Sequence, residues 1–273
     1  MSEPTFKALE LDGWTARAQA YDDWLAPVTR QAIEPILAAL GGELTDRTLL
    51  DICTGTGHLA GAAAARGARA AGADFAGTMV EVARVNYPTV EFLQADAEAI
   101  PHADGVFDLV TNAFGLWHLE DPDAGLREAC RILRSRGRFA FTTWLSPDQG
   151  FDLFAIVVAA IRQHGTLDLP LPPVPPPFRF ADPVEASRSL AAAGFEAVTH
   201  ERHACLWRTR RGADLLELIY KSLVRAPMLI EHQRVEARKL VQAEIVTRAE
   251  ALRSGDGVIE LQFPYLLVTA TKP

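Results

Sequence analysis

Thr48-Leu49-Leu50-Asp51-Ile52-Cys53-Thr54-Gly55-Thr56-Gly57 is the stretch that decides the fold. A short β-prone run ends in a double-glycine turn, and the Ala-rich segment after it reads as a helix to about Arg66. Glycines at a strand end let the backbone approach a ligand closely, and the helix N-terminus behind them offers free N–H groups and a partial positive charge. The turn alone does not choose the ligand, because Gly55-x-Gly57-x-x-Ala60 also satisfies a dinucleotide fingerprint.

The flanking carboxylates narrow the choice. Asp51 lies inside the strand end, where a dinucleotide site would place an apolar residue and where a ligand ammonium would find a counter-charge. Asp74 closes the next strand, Arg69 to Ala73, in position to accept both hydroxyls of a ribose. The third strand ends in Gln94-Ala95-Asp96-Ala97, another acid at the same sheet edge, suited to an adenine amino group.

Working outward, the pattern alternates. Helix Gly77 to Val85, strand Val90 to Leu93, strand Val106 to Asn112, helix Asp123 to Leu133 and strand Arg138 to Thr143 imply parallel pairing through right-handed crossovers. Trp14 to Leu40 carries apolar residues at helical spacing and stops at Gly41-Gly42. Beyond Trp144 the regularity breaks. Leu169 to Pro177 is too rich in proline for helix or central strand and reads as an extended connection, with a polyproline ligand as the alternative. Helix Pro183 to Ala193, strand Phe195 to His203, helical stretches Gly212 to Arg225 and Met228 to Arg253, and a last strand Val258 to Thr271 complete the chain.

The expected architecture is α/β: a Rossmann-like, open, seven-stranded, mostly parallel sheet with helices on both faces. The expected division is an N-terminal helical cap (1–46), a core (47–204 plus 256–273) and a helical lid insertion (205–255).

Composition agrees with a globular protein. The 273 residues are 49% hydrophobic and 23% charged, which excludes disordered, collagen-like and coiled-coil chains. A net charge of −8 argues against a general nucleic-acid binder. Cys53, Cys130 and Cys205 are too scattered for a disulfide framework or a zinc site, so no metal is expected and a reducing compartment is. The N-terminus lacks the pattern of a signal peptide, and the apolar run Phe151 to Ile161 is far short of the ~18 residues of a membrane span. These features lead to an expectation of a soluble, cytoplasmic protein without membrane partners.

From Leu49 to Trp144 the sequence resembles the class I S-adenosylmethionine-dependent methyltransferases, in particular the small-molecule branch related to ubiquinone and menaquinone biosynthesis methyltransferases. The resemblance rests on Leu-Asp-Ile-Cys-Thr-Gly-Thr-Gly, Gly72-Ala-Asp74-Phe-Ala-Gly-Thr-Met79, Gln94-Ala-Asp96-Ala-Glu-Ala-Ile-Pro101, Phe107-Asp-Leu-Val and Phe114-Gly-Leu-Trp-His-Leu-Glu-Asp-Pro122, in that order. Cys53 departs from the family's more usual glycine. The resemblance implies S-adenosyl-L-methionine as cofactor and S-adenosyl-L-homocysteine as product. By the same resemblance Asp51, Cys53, Thr54, Gly55, Thr56 and Gly57 cradle the methionyl part, and Asp74 binds the ribose. Phe75 and Met79 pack on the adenine, Asp96 and Ala97 meet its amino edge, Asn112 and Ala113 touch the methionyl or sulfonium region, and Tyr21 closes over the cofactor.

Methyl transfer from a sulfonium is an in-line displacement driven mainly by positioning, and it needs a base only when the acceptor proton is not already acidic. His118 is the candidate, with Tyr21 and His203 behind it and a structural histidine as the alternative. Phe114, Trp117, Trp144, Phe178, Trp207 and Tyr220 are expected to line a pocket for a small-molecule acceptor of aromatic or isoprenoid-like character, or else to be core. From His200 to Arg253 eleven Lys/Arg stand against seven Asp/Glu, so Arg208, Arg210, Arg211, Lys221 and Arg225 form either an anion site or a solvated face. Homo-oligomerisation through the N-terminal helix or the insertion is compatible with the sequence. Two other functions compete: a protein that binds the cofactor without methylating, whether cyclase-like or regulatory, and an NAD-dependent oxidoreductase, which Asp51 disfavours.

Overall fold

The structure is a computed structural model that describes residues 4–273. Helix α1 (Phe6–Trp24) is capped by Thr5, whose hydroxyl accepts from the N–H of Ala8 at 3.2 Å. The chain continues through short α2 (Ala26–Thr29) and α3 (Ile33–Ala39) into β1 (Thr48–Ile52). Then follow α4 (His58–Ala65), β2 (Arg69–Asp74), α5 (Gly77–Asn86), β3 (Glu91–Gln94), β4 (Phe107–Ala113), α6 (Pro122–Ile132) and β5 (Leu133–Trp144). The second half comprises α7 (Asp152–His164), α8 (Pro183–Ala192), β6 (Glu196–Thr209), α9 (Ala213–Ser222), α10 (Arg225–Glu231), α11 (Val235–Glu250) and β7 (Ile259–Thr271).

The seven strands form one sheet in the order β3-β2-β1-β4-β5-β7-β6. Neighbours are parallel except β7, which runs antiparallel to both β5 and β6. This is the open, mostly parallel architecture expected from the sequence. Burial on both faces explains why β1 reads as a continuous apolar run. Leu49 packs with α3, α4 and α7 on one side of the sheet, while Leu50 and Ile52 pack with α6 and α8 on the other. Strand order reverses between β1 and β4, and an open α/β sheet binds its ligand at the carboxyl end of such a reversal.

Several boundaries differ from expectation. Helix α1 starts at Phe6 rather than near Trp14, because its first turns bury Glu10, a residue that reads as surface. It ends at Trp24, and Pro27 and Pro35 stand among the short turns that follow. The apolar run after Trp144 forms α7, packed against α11. Strand β6 continues past His203 to Thr209 as an edge strand, and the helices between β6 and β7 begin at Ala213, close to the expected Gly212. They number three rather than two, because the second expected stretch is broken at His232-Gln233-Arg234. Residues 169–177 are irregular, as the prolines require. No helix of the described residues is long and apolar enough to cross a membrane.

Candidate active site

The register of the sheet builds the site. Asp51 lies beside Gly72 of β2 and Thr111 of β4. Its Oδ1 accepts from the Thr111 hydroxyl and its Oδ2 from the Thr54 hydroxyl, both at 2.7 Å. The side chain opposite must be absent, since a Cβ on Gly72 would lie 2.7 Å from Thr54 Oγ1. Asp74 ties the turn to the second strand: Oδ2 accepts from Gly55 N–H at 2.9 Å and Oδ1 from Ala76 N–H at 3.0 Å. Behind the loop, Asn86 donates to Thr56 O at 3.2 Å and also bonds Asp22, whose Oδ1 meets His58 Nε2 at 2.7 Å, so α1 and α5 hold the turn from outside.

Cys53 adopts φ +56° and Phe114 φ +61°, a region that costs an L-residue about 1 kcal/mol. The two left-handed residues directly follow the ends of the neighbouring strands β1 and β4. Gly115 makes room between them, since a Cβ there would lie 2.4 Å from Cys53 Cβ. Gly115 thus leaves room for a side chain at position 53, although the positive φ of Cys53 is one that glycine would adopt without strain.

A cavity of about 840 Å³ opens at these strand ends. Tyr21, Cys53, Gly55, Asp74, Phe75, Met79, Asp96, Ala97 and Ala113 line it together with His118, Phe114, Trp117 and Trp144. A smaller cavity, of about 390 Å³, lies on the other side of the turn, against Asp51, Thr54, Thr56 and again Tyr21 and Cys53. Tyr21 stands between the two, its hydroxyl 3.1 Å from Thr29 Oγ1, and burial pushes its pKa up to about 12. Phe114 stacks on Trp144 with centroids 3.7 Å apart, forming one wall.

The other expected residues lie elsewhere. Gly57 is buried at the start of α4, where a Cβ would lie 2.7 Å from Phe92. Asn112 turns inward and accepts from Gly115 and Leu116 N–H at 2.8 and 3.0 Å, bracing the loop after β4 instead of facing the cavity. Phe178 packs behind Trp117, and Trp207 is buried in the core. Tyr220 bonds Glu231 and Gln242 within the helices after β6. None of these five lines either cavity. His203 pairs with Glu201 and stacks on Tyr265, away from the site. Arg208, Arg211 and Lys221 are exposed and paired with Glu260, Asp214 and Glu217, which makes them a solvated face.

Other residues at the site carried no sequence signal. Arg30 lines the smaller cavity. Lys7 pairs with Asp96 and, at 3.0 Å, with Glu98 at the rim of the larger one. Glu10, 0% exposed, accepts from Trp14 Nε1 at 3.0 Å, bonds His118 Nδ1 at 2.8 Å and pairs with Arg225 Nε at 3.0 Å. It joins α1, the loop after β4 and α10 through one carboxylate. A buried ion carries a desolvation cost that its partners must offset, and an isolated Glu in a polar-looking segment gives no hint of them.

The electrostatics point to a cationic ligand. Burial pushes Asp51 up to about 7 and Asp74 up to about 6. Neither has a cationic partner among the described residues. Ionised together they form an uncompensated negative pocket, which a ligand bearing an ammonium and a sulfonium would neutralise.

Comparison with known proteins agrees with this geometry. Residues 50–141 match the family model described as a methyltransferase domain. A demethylmenaquinone methyltransferase from Clavibacter sepedonicus is 37% identical over 144 residues, covering 50% of this chain and 55% of that one. A 2-phytyl-1,4-naphtoquinone methyltransferase from Thermosynechococcus vestitus is 34% identical over 169 residues, covering 56% of this chain and 74% of that one. The chain spans about half the length, or less, of the first curated relatives it matches. Among solved structures, a putative methyltransferase from Bacillus halodurans superposes with TM-score 0.58 at 21% identity over 89% of this chain and 99% of its own, a likeness of fold. The [4+2]-cyclase SpnF does so with TM-score 0.53 at 20% identity, over 89% of this chain and 80% of its own. On this evidence the chain belongs to the class I S-adenosylmethionine-dependent methyltransferase family and resembles its menaquinone and ubiquinone biosynthesis members.

Proposed function

We propose that this protein transfers the methyl group of S-adenosyl-L-methionine to an apolar, aromatic small molecule of the quinol type, leaving S-adenosyl-L-homocysteine. The observation that carries the reading is one cavity lined by Asp74 and Asp96, from the ends of β2 and β3 on one side of β1, and by Phe114, Trp117 and Trp144, from the ends of β4 and β5 on the other. The quinone chemistry named for the relatives from Clavibacter and Thermosynechococcus supports the acceptor class.

The residues present suit the cofactor. Asp74 would accept from the ribose hydroxyls, Asp96 from the adenine amino group, and Phe75 and Met79 would pack on the base. Asp51 would receive the ammonium, with Arg30 positioned for the carboxylate. When bound, the cofactor supplies a methyl group already activated by its sulfonium. The protein's task is then to hold the acceptor in line and exclude water. Trp14 and Leu223 line the same cavity from α1 and the chain after α9, while Phe114 and Trp144 set a flat wall against which an aromatic ring can lie.

Calorimetric titration with S-adenosylhomocysteine tests the cofactor side. Asp74→Asn should weaken binding at least ~10-fold, about 1.4 kcal/mol, through loss of charge-assisted bonds. Unchanged affinity, or a wild-type protein that binds NADH and not S-adenosylhomocysteine, would overturn the assignment. Transfer of labelled methyl to a short-chain demethylated naphthoquinol tests the reaction. Cofactor binding without turnover on any quinol or phenol would favour a non-methylating protein.

A further inference from the structure

We infer that Glu10 and His118 form a proton-accepting dyad at the acceptor end of the cavity, and that the acceptor therefore carries a weakly acidic aromatic hydroxyl. The inference rests on the methyl-transfer reading above and names the acceptor chemistry within it.

Four observations carry it. His118 Nδ1 lies 2.8 Å from Glu10 Oε2. A carboxylate can only accept, so the hydrogen sits on Nδ1 and Nε2 of a neutral ring keeps its lone pair. His118 lines the cavity with 15% of its side chain exposed, and among the described residues its Nε2 has no hydrogen-bond partner. Glu10 stays anionic because Arg225 Nε at 3.0 Å and Trp14 Nε1 at 3.0 Å bind the same carboxylate. The ring is held edge-on between Trp14 at 4.9 Å and Trp117 at 4.8 Å, which fixes the direction of Nε2.

The charged groups around the ring set its state. Glu10 faces it from α1 and Arg225 from α10. Lys7, Asp96, Glu98, Asp74 and Tyr21 line the same cavity. Burial lowers the pKa of His118, Glu10 raises it and Arg225 lowers it further, with a net value below the ordinary one. The imidazole is therefore neutral near pH 7 and able to take a proton.

The acceptor hydroxyl gives its proton to Nε2. An oxygen lone pair then forms the bond to the methyl carbon, the carbon–sulfur pair remains on sulfur, and the imidazolium later releases the proton to water. In a hydroquinone the same electron pair can act from the ring carbon beside the oxygen, after which the hydrogen of that carbon moves to oxygen and restores the hydroxyl. Both outcomes need the same proton acceptor. Glu10 touches no substrate and acts as a positioning residue that fixes the tautomer and orientation of His118.

The test uses the full-length chain saturated with S-adenosylhomocysteine for spectroscopy, and with methyl donor for turnover. Nitrogen-15 NMR of the histidines should show His118 protonated on Nδ1 and bare on Nε2 at pH 7, with Glu10→Gln moving its titration to lower pH and Glu10→Asp restoring it in part. A cationic ring at pH 7, or one protonated on Nε2, overturns the dyad. Turnover is measured on 1-naphthol and 1,4-naphthohydroquinone, protonated at the assay pH, and on 4-nitrophenol above its pKa, already ionised. His118→Gln should lower kcat ~100-fold or more on the protonated pair and under ~5-fold on the ionised phenol. Product NMR separates oxygen from carbon methylation. Equal losses on both kinds of acceptor mean that His118 only shapes the pocket, which overturns the proposal. So does methylation of amines with no turnover of aromatic hydroxyls. Failure of S-adenosylhomocysteine to bind would sink the methyl-transfer reading instead, and the NMR result would still decide the dyad.

Discussion

Replacing Asp51 with asparagine should stabilise the ligand-free protein at neutral and higher pH while damaging its cofactor site. The carboxyl moves from its ordinary 3.8 to about 7 on folding, mainly by burial, with 1% of its surface exposed. Ionising it in the folded state therefore costs about 4 kcal/mol, at about 1.4 kcal/mol per pH unit. Because the folded value is the higher one, the cost is absent below about pH 4, accumulates as pH rises, and is complete above about pH 7. The substituted side chain would carry no charge, and the hydroxyls of Thr54 and Thr111 can rotate to donate to or accept from its amide. Allowing about 1 to 2 kcal/mol for imperfect replacement of these bonds, the variant should melt about 5 to 10 °C above wild type at pH 8 and level with it, or lower, near pH 4.5. Thermal melts across that range measure the difference directly. Saturating S-adenosylhomocysteine should raise wild type far more than the variant, since the ligand ammonium relieves the same buried charge. A variant less stable by the same margin at both pH values would refute the reasoning, because the penalty would then not come from ionisation.

Two further outcomes follow from side-chain geometry. Gly115→Ala drives a Cβ against Cys53 and should cost about 1 to 3 kcal/mol. Cys53→Gly alone should be nearly neutral, because relief of the left-handed strain offsets the flexibility of glycine. The double variant should recover at least about 1 kcal/mol in a urea-denaturation cycle, and strict additivity would show that the two positions do not share the space. Arg225→Met leaves the buried Glu10 without its guanidinium and should lower stability by about 3 to 5 kcal/mol. Adding Glu10→Gln should return a large part of that loss, and no recovery would mean that the arginine acts by packing on Phe6 and Trp117.

The cofactor side of the molecule was readable because its chemistry is local. Asp51, Asp74 and Asp96 each lie within two residues of a strand end, and parallel pairing brings strand ends together whatever the rest of the chain does. The acceptor side depends on which way a side chain turns. Phe114, Trp117 and Trp144 face the cavity, whereas Phe178, Trp207 and Tyr220 look equally suitable in sequence and pack elsewhere. Asn112 misleads for a similar reason: a polar residue at a buried strand end can meet a ligand or brace a loop, and here two backbone N–H groups claim it. Glu10 was invisible because its three partners come from Trp14, His118 and Arg225, far apart in the chain. The tail of β6 carries little signal, because only Cys205 and Trp207 are buried along it and the exposed Arg208 and Arg210 follow at once.

The pairing of Thr209 with Ile259 at the mouth of the last two strands has an evolutionary reading. Residues 210–258 leave and re-enter the sheet at adjacent positions, so a tight turn could close the gap without altering strand register. Such a segment behaves as an exchangeable cassette: its length and sequence can drift while the strands that hold the glycine turn stay as they are. Its fastenings to α1, and the packing of α11 on α7, set the limit on that freedom. Arg225 on Glu10, and Arg17 on the carbonyl of Tyr220 at 3.2 Å, would have to be transplanted with any foreign cassette, so the first helix and the segment should diversify as a pair.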